Sequence, residues 1–136
     1  MTGVRISMDY VLAIPRPPTG WTPGSYVPPE DRVSPAFAES DARYQDALAA
    51  YRRQDYPRAA DGFVEAALVL RSVTTGIHAD TAAFNRAVLL EDAAYAWLEA
   101  GTPDVGRATL ARLEQSRQLT AADTRRARDA LARHAR

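Results

Sequence analysis

The residues of this sequence that could carry chemistry are two histidines and their acidic neighbours. His78 and Asp80 flank the predicted start of a helix, and His134 lies near the end of the chain. A metal site would need two or three further ligands, and a catalytic dyad would need a nucleophile within hydrogen-bond reach. The sequence contains no cysteine, no HExxH, no glycine-rich phosphate loop and no Gly-x-Ser-x-Gly. We therefore expect no catalytic residue, no metal and no cofactor. Asp80 or His78 is expected to cap a helix, and His134 to be exposed.

The charged residues of the predicted helices are expected to form solvated faces, and a binding site for nucleic acid is the less favoured interpretation. Glu91, Asp92 and Glu99 are expected to be solvated or paired with arginine. The last predicted helix carries Arg125, Arg126, Arg128, Arg133 and Arg136. These arginines could contact phosphates of a nucleic acid or lipid head groups, but Asp123 and Asp129 interrupt them and no aromatic residue lies among them. A nucleic-acid-associated regulatory protein that uses this helix is the alternative function.

Length and composition indicate one ordinary globular domain. The chain has 136 residues, of which 46% are hydrophobic and 25% are charged, and its formal net charge is zero. All 17 basic residues are arginine, which we interpret as codon bias in a GC-rich genome. No apolar run approaches the roughly 20 residues of a membrane-spanning helix. We expect a cytoplasmic protein that does not contact membranes.

The chain divides at about residue 34, and its first part contains a predicted β-strand. Apolar and other residues alternate from Val4 to Ile14, with one face formed by Val4, Ile6, Met8, Tyr10, Leu12 and Ile14. A single strand cannot satisfy its own backbone hydrogen bonds. It would add to the sheet edge of another protein or pair with the same strand of a second copy in a homodimer. The third alternative is a disordered or locally packed leader whose alternation is coincidental.

A proline-rich segment follows this strand. Seven of the nine prolines lie between Pro15 and Pro35, so we expect an extended tether, partly polyproline II. Trp21 and Tyr26 lie in it, and large aromatic residues in such a segment usually dock on a surface. We assign both to a partner-binding arm, residues 1–33. Whether they contact the protein's own helices or another chain is open.

Five helices are predicted for residues 34–136. The first begins at Ser34-Pro35, the second at Pro57, the third near Asp80, the fourth at Pro103 and the fifth at Thr120, where Thr120 and Asp123 form a capping-box-like start. Spacings of three and four predict their inward residues. These are Phe37, Tyr44, Leu48 and Tyr51; Ala59, Phe63, Ala66 and Leu70; Phe84, Ala87, Leu90, Ala94 and Trp97; Gly106, Leu110 and Leu113; and Ala127 and Leu131.

The four helices from Asp41 to about Arg117 resemble two degenerate tetratricopeptide (TPR) repeats followed by a capping helix. The residues that carry the resemblance are Tyr44, Ala47, Leu48, Tyr51, Ala59, Phe63 and Ala66 in the first copy and Leu90, Ala93, Ala94, Trp97, Gly101, Gly106, Leu110 and Leu113 in the second. Small residues such as Ala59 and Gly106 would let helices approach closely, while Tyr51, Phe63 and Trp97 would fill the gaps. The expected fold is an all-α TPR-like array with an N-terminal β-strand arm.

The resemblance implies a groove lined by the leading helices, where partners of this family usually bind. Gln45, Ala49 and Arg52 of the first helix and Glu91, Tyr95 and Leu98 of the third would face it. Two repeats could also make too shallow a groove, which the protein's own arm would cover. The expected function is therefore a non-catalytic adaptor or accessory subunit that binds another protein.

Overall fold

The computed structural model describes Tyr26 and residues 35–134, and this part of the chain is all-helical. The five predicted helices are present. They are α1 (Pro35–Arg52), α2 (Tyr56–Val69), α3 (Ala79–Ala100), α4 (Pro103–Gln115) and α5 (Ala121–His134), and a 3-10 turn, Leu70–Ser72, follows α2. The described residues include no β-strand. The predicted strand at residues 4–14, Trp21 and the rest of the tether apart from Tyr26 lie outside them.

Local capping signals account for the bounds of these helices. The side chain of Asp55 accepts a hydrogen bond from the Arg58 amide at the start of α2. Gly101 ends α3 with a φ of 74°, a left-handed conformation that glycine adopts without steric cost. At α5, the Thr120 amide donates to Asp123 Oδ2 over 3.0 Å and the Asp123 amide donates to Thr120 Oγ1 over 3.2 Å. The predicted capping box is therefore confirmed.

Helices α1 and α2 form an antiparallel hairpin. Ser40, early in α1, donates to the Ala66 carbonyl late in α2 over 2.8 Å. Tyr51, late in α1, contacts the ring of Tyr56 at the start of α2 with centroids 5.1 Å apart. A Cβ at Gly62 would lie 2.7 Å from the Cβ of Ala47, so glycine is required for this close approach.

Helices α1, α3 and α5 run in the same direction. Near the start of α1 Phe37 contacts His78 just before α3, and near its end Tyr51 bonds Glu99 of α3. Contacts between α3 and α5 also advance along both helices, from Arg86–Asp123 through Glu91–Arg126 to Tyr95–His134. Helix α2 lies against both α1 and α3, while α1 and α2 make no substantial contact with α4 or α5. The helices that the structure describes therefore stack in an open array instead of closing into a bundle.

The predicted aromatic and small anchors lie in the core. Tyr51, Phe63, Leu90 and Trp97 are buried, as are Ala59, Ala66 and Ala94. Trp97 lies directly over Gly106, where a Cβ would be 2.6 Å from its ring. This contact joins α3 to α4, and Leu131 of α5 also lies close to Gly106, 3.2 Å from the same Cβ position.

The prediction that Phe84 lies in the core is wrong. Its side chain is 52% exposed, and the guanidinium of Arg126 from α5 lies 5.8 Å from the ring centroid. Phe84 faces a charged position of α5, and a cation over an aromatic face is favourable while leaving the ring accessible to water.

Candidate functional site

Tyr26 is the one residue of the predicted arm that the structure describes, and it lies in the core. Its side chain is 3% exposed, and its ring packs on Tyr44 of α1 with centroids 4.7 Å apart. Tyr44 in turn lies 6.0 Å from Phe63 of α2. The assignment of Tyr26 to a surface that binds another protein is therefore corrected: this aromatic residue docks on the protein's own helices. The other predicted arm residues, Val4, Ile6, Met8, Tyr10, Leu12, Ile14 and Trp21, lie outside the described part of the chain.

A second set of residues connects α1 to α3. We define the α1–α3 seam as Tyr44 and Tyr51 of α1 with Asp92 and Glu99 of α3. Both pairs are seven residues apart, which places each pair on one helix face two turns apart. The Tyr51 hydroxyl donates to Glu99 Oε2 over 3.3 Å. Asp92 is fully buried.

The electrostatics of the seam are set by burial and by carboxylates. Burial raises the pKa of the Tyr44 phenol well above its usual value. The negative charges of Asp92 and Asp41 raise this pKa further, while Arg52 opposes them. The seam is therefore an aromatic surface with acidic groups around it. Tyr26 packs on the ring of Tyr44, which belongs to this seam.

Sequence reasoning did not find this arrangement. We expected Asp92 to be solvated or paired with arginine, and the structure buries its side chain completely. Glu99 accepts the Tyr51 hydroxyl. The available signal was the repeated spacing of seven, from Tyr44 to Tyr51 and from Asp92 to Glu99.

The six residues expected to line a groove do not form one open surface. Gln45, Ala49 and Arg52 are exposed on α1, whereas Leu98 of α3 is buried. Glu91 instead pairs with Arg126 of α5 over 2.8 Å, and Tyr95 is buried with its ring 5.9 Å from that of His134. The expectation for Glu91 and Tyr95 is corrected, because α5 covers that face of α3.

A buried ion pair joins α3 to the start of α5. Arg86 Nε donates to Asp123 Oδ1 over 2.9 Å, and the two side chains are 12% and 8% exposed. Arg86 Nη1 also donates to the Leu70 carbonyl over 3.0 Å, which connects α3 to the end of α2. Since Asp123 belongs to the capping box of α5, Arg86 of α3 connects the end of α2 with the start of α5.

Carboxylates of this chain partly neutralise the arginines of α5. Arg126 pairs with Glu91, and Arg128 Nε lies 3.5 Å from Glu114 Oε2. A phosphate would compete with these acids for both guanidinium groups. Arg125 and Arg133 are exposed on the same helix, and Arg136 lies outside the described residues.

Both histidines pack against aromatic rings. His78 occupies the N-cap position of α3, but its side chain makes no capping hydrogen bond and contacts Phe37 edge-on. His134 was expected to be exposed. It is half-buried against Tyr95, and this burial, followed by the charge of Arg133, lowers its pKa. In the part of the chain that the structure describes, no three His, Asp or Glu side chains are grouped so that they could hold a metal ion.

None of the described helices combines the length and apolarity needed to cross a membrane. No protein-family model, curated protein or solved structure matches the chain.

Proposed function

We propose that this protein is a non-catalytic protein–protein interaction module, an adaptor or accessory subunit built as a TPR-like array. The open stacking of the helices supports the proposal, because an array that does not close leaves faces for a partner. The alternation of direction from α1 to α3 and the close approaches at Gly62 and Gly106 agree with such an array. The α3–α5 pair packs more extensively than α1–α3, which departs from a regular repeat.

The observation that carries the proposal is the position of Tyr26. In a closed bundle another helix would cover Tyr44 of α1. Here Tyr26, from the segment before α1, packs on Tyr44 and is 3% exposed. A face that takes a side chain from outside the helices is suited to contacts with an extended chain. In this proposal, the part of the arm that precedes Tyr26, residues 1–25, docks on a second protein by strand addition.

Because Tyr26 belongs to the core, two truncations are needed to test the role of the arm. Removal of residues 1–24 keeps Tyr26, whereas removal of residues 1–33 also exposes Tyr44. A buried aromatic side chain contributes about 1.5–3 kcal/mol, so the longer deletion should lower the melting temperature and the shorter one should not. Both are expected to abolish co-purification of the partner from the native host. If the protein lacking residues 1–24 retains its partner at full strength, the docking role of the arm is wrong.

Site-specific photo-crosslinking tests the helical face. A crosslinking amino acid at Gln45, exposed on α1, is compared with one at Arg58, exposed on α2. We expect a defined adduct with the same partner from position 45 and none from position 58. Equal adducts from both positions would contradict the assignment of the binding face to α1.

A further inference from the structure

A groove lies on the solvent-facing side of the α1–α2 hairpin. It is bounded by residues 35–43 of α1 and by residues 65–72 at the end of α2 and in the 3-10 turn, and we call it the hairpin groove. Its volume is about 620 Å³, which lies within the range of small-molecule sites, about 300–1,000 Å³. Along α1 it is about 12 Å long, since each residue adds about 1.5 Å to a helix.

Apolar side chains line one part of the hairpin groove. Pro35 and Ala36 come from the start of α1, and Leu68 comes from the end of α2. Ala36 and Leu68 are partly buried against the core. The two helices are held at this distance by Ser40, which donates to the Ala66 carbonyl over 2.8 Å. The groove therefore offers an apolar surface that exists before any ligand binds.

The two ends of the hairpin groove differ in charge. At one end Arg43 lies between two carboxylates, 3.1 Å from Glu39 and 3.2 Å from Glu65. At the other end lies Arg71, and no carboxylate of the described residues forms an ion pair with it. An anion in the groove is therefore attracted to the Arg71 end and disfavoured at the end where two carboxylates face one cation.

The backbone that carries Arg71 is fixed by its neighbours. Leu70 is fully buried, and its carbonyl accepts a hydrogen bond from Arg86 Nη1 of α3 over 3.0 Å and one from the Val73 amide over 3.1 Å. The 3-10 turn also contacts α1. Because this turn is already ordered, pairing of Arg71 with an anion requires the ordering of one side chain only.

We propose that the hairpin groove is a binding site for an amphipathic monocarboxylate, a small molecule with one carboxylate and an unbranched apolar chain. The carboxylate pairs with Arg71, and the apolar chain lies against Ala36 and Leu68 and extends toward Arg43. None of the described residues that line this groove belongs to the α1–α3 seam. The site is therefore a second function of the fold and does not depend on the proposed adaptor role.

Octanoate is the probe, and the chemical shifts of the backbone amides of the full-length, isotope-labelled protein are the readout. The shifts should saturate, and the largest should occur at Leu68, Arg71 and Ser72. Octanol has the same chain without the carboxylate and should bind at least about tenfold more weakly. Shifts that do not saturate, or that are largest outside the groove, would overturn the site. Equal binding of octanol and octanoate would overturn the pairing with Arg71.

Two arginine variants separate the groove from the net charge of the protein. Arg71→Gln should raise the dissociation constant of octanoate about tenfold, because a hydrogen bond to a charged group is lost. Arg58→Gln is the matched control, since Arg58 is also exposed and belongs to α2 but does not line the groove. It should leave the dissociation constant unchanged. Equal losses of affinity in the two variants would overturn the role of Arg71.

Two further ligands test the direction and the class of the bound molecule. Octanedioate carries a second carboxylate at the far end of its chain, close to Glu39 and Glu65, and should bind more weakly than octanoate. Binding as tight as that of octanoate would overturn the proposed direction of the chain. The peptide Gly-Ala-Val-Leu should also bind more weakly than octanoate. Tighter binding of this peptide would overturn the small-molecule ligand in favour of the end of a protein chain.

Discussion

Helix α3 has a parallel neighbour on each side, α1 and α5, and the two interfaces are built differently. Contacts between α3 and α5 include the buried Arg86–Asp123 ion pair, and small residues of α5 such as Ala127 and Ala130 are fully buried. Contacts between α1 and α3 are fewer and are made by long side chains, with Tyr51 reaching Glu99. The first interface is formed by closely packed helices, whereas the second is bridged by a few side chains. One helix can therefore be held by extensive packing on one side and by few contacts on the other.

The largest effect is expected from the ion pair of the α3–α5 interface. Arg86→Ala leaves Asp123 buried without its charge partner and should lower the free energy of unfolding by about 3 kcal/mol. Chemical denaturation measures this change. Arg43→Ala is the matched control, because Arg43 also pairs with two acceptors, Glu39 and Glu65, but is exposed to solvent. It should change stability little, and equal losses in the two variants would show that burial does not distinguish these pairs.

An effect of intermediate size is expected when one buried hydroxyl group is removed from the α4–α5 interface or from the α1–α3 seam. Thr124 donates to Glu114 over 2.6 Å between α4 and α5 and is fully buried, whereas Tyr51 donates to Glu99 over 3.3 Å in the seam. Hydrogen bonds to charged groups contribute about 1.5–3 kcal/mol, so Thr124→Val should cost about 2 kcal/mol. The longer bond lost in Tyr51→Phe should cost about 1 kcal/mol. Denaturant midpoints measure both, and the reverse order would contradict the looser packing of the seam.

The smallest effect concerns pH. Because burial against Tyr95 lowers the pKa of His134, the unfolded chain binds its proton more readily than the folded protein does. Stability from this group is therefore fully present above the ordinary histidine pKa of about 6.5 and is lost as pH falls below it.

Thermal unfolding at about pH 8 and about pH 5.5 measures this dependence. The melting temperature of the wild type should fall slightly more over this interval than that of His134→Phe, which has no titrating group at that position. The shift is small because His134 is only partly buried. An identical pH dependence in the two proteins would show that folding does not lower the pKa of His134.

Much of the fold was predictable because its signals are local. The left-handed Gly101 at the end of α3 and the reciprocal bonds between Thr120 and Asp123 involve residues close in sequence. Spacings of three and four likewise predicted that Tyr51 and Trp97 would be buried. The predicted β-strand arm, its partner and the function depend on contacts outside the described residues, and they remain predictions.

The candidate site was not predictable, because α3 is apolar around most of its circumference. From Val88 to Leu98 every residue except Glu91 is buried, so hydrophobic periodicity does not indicate which face meets which helix. For that reason Tyr95 was assigned to a groove that α5 covers, and Phe84 was assigned to the core.

The sequence by itself determined where the helices begin and end and which aromatic residues hold them together, because caps, turns and spacings act within a few residues. Only the tertiary structure decided what the two adjacent acids of α3 do. Successive residues point about 100° apart on a helix, so Asp92 lies buried in the core while Glu91 pairs with Arg126. Which neighbour meets each face depends on how all five helices pack together, a property that no local pattern of residues contains.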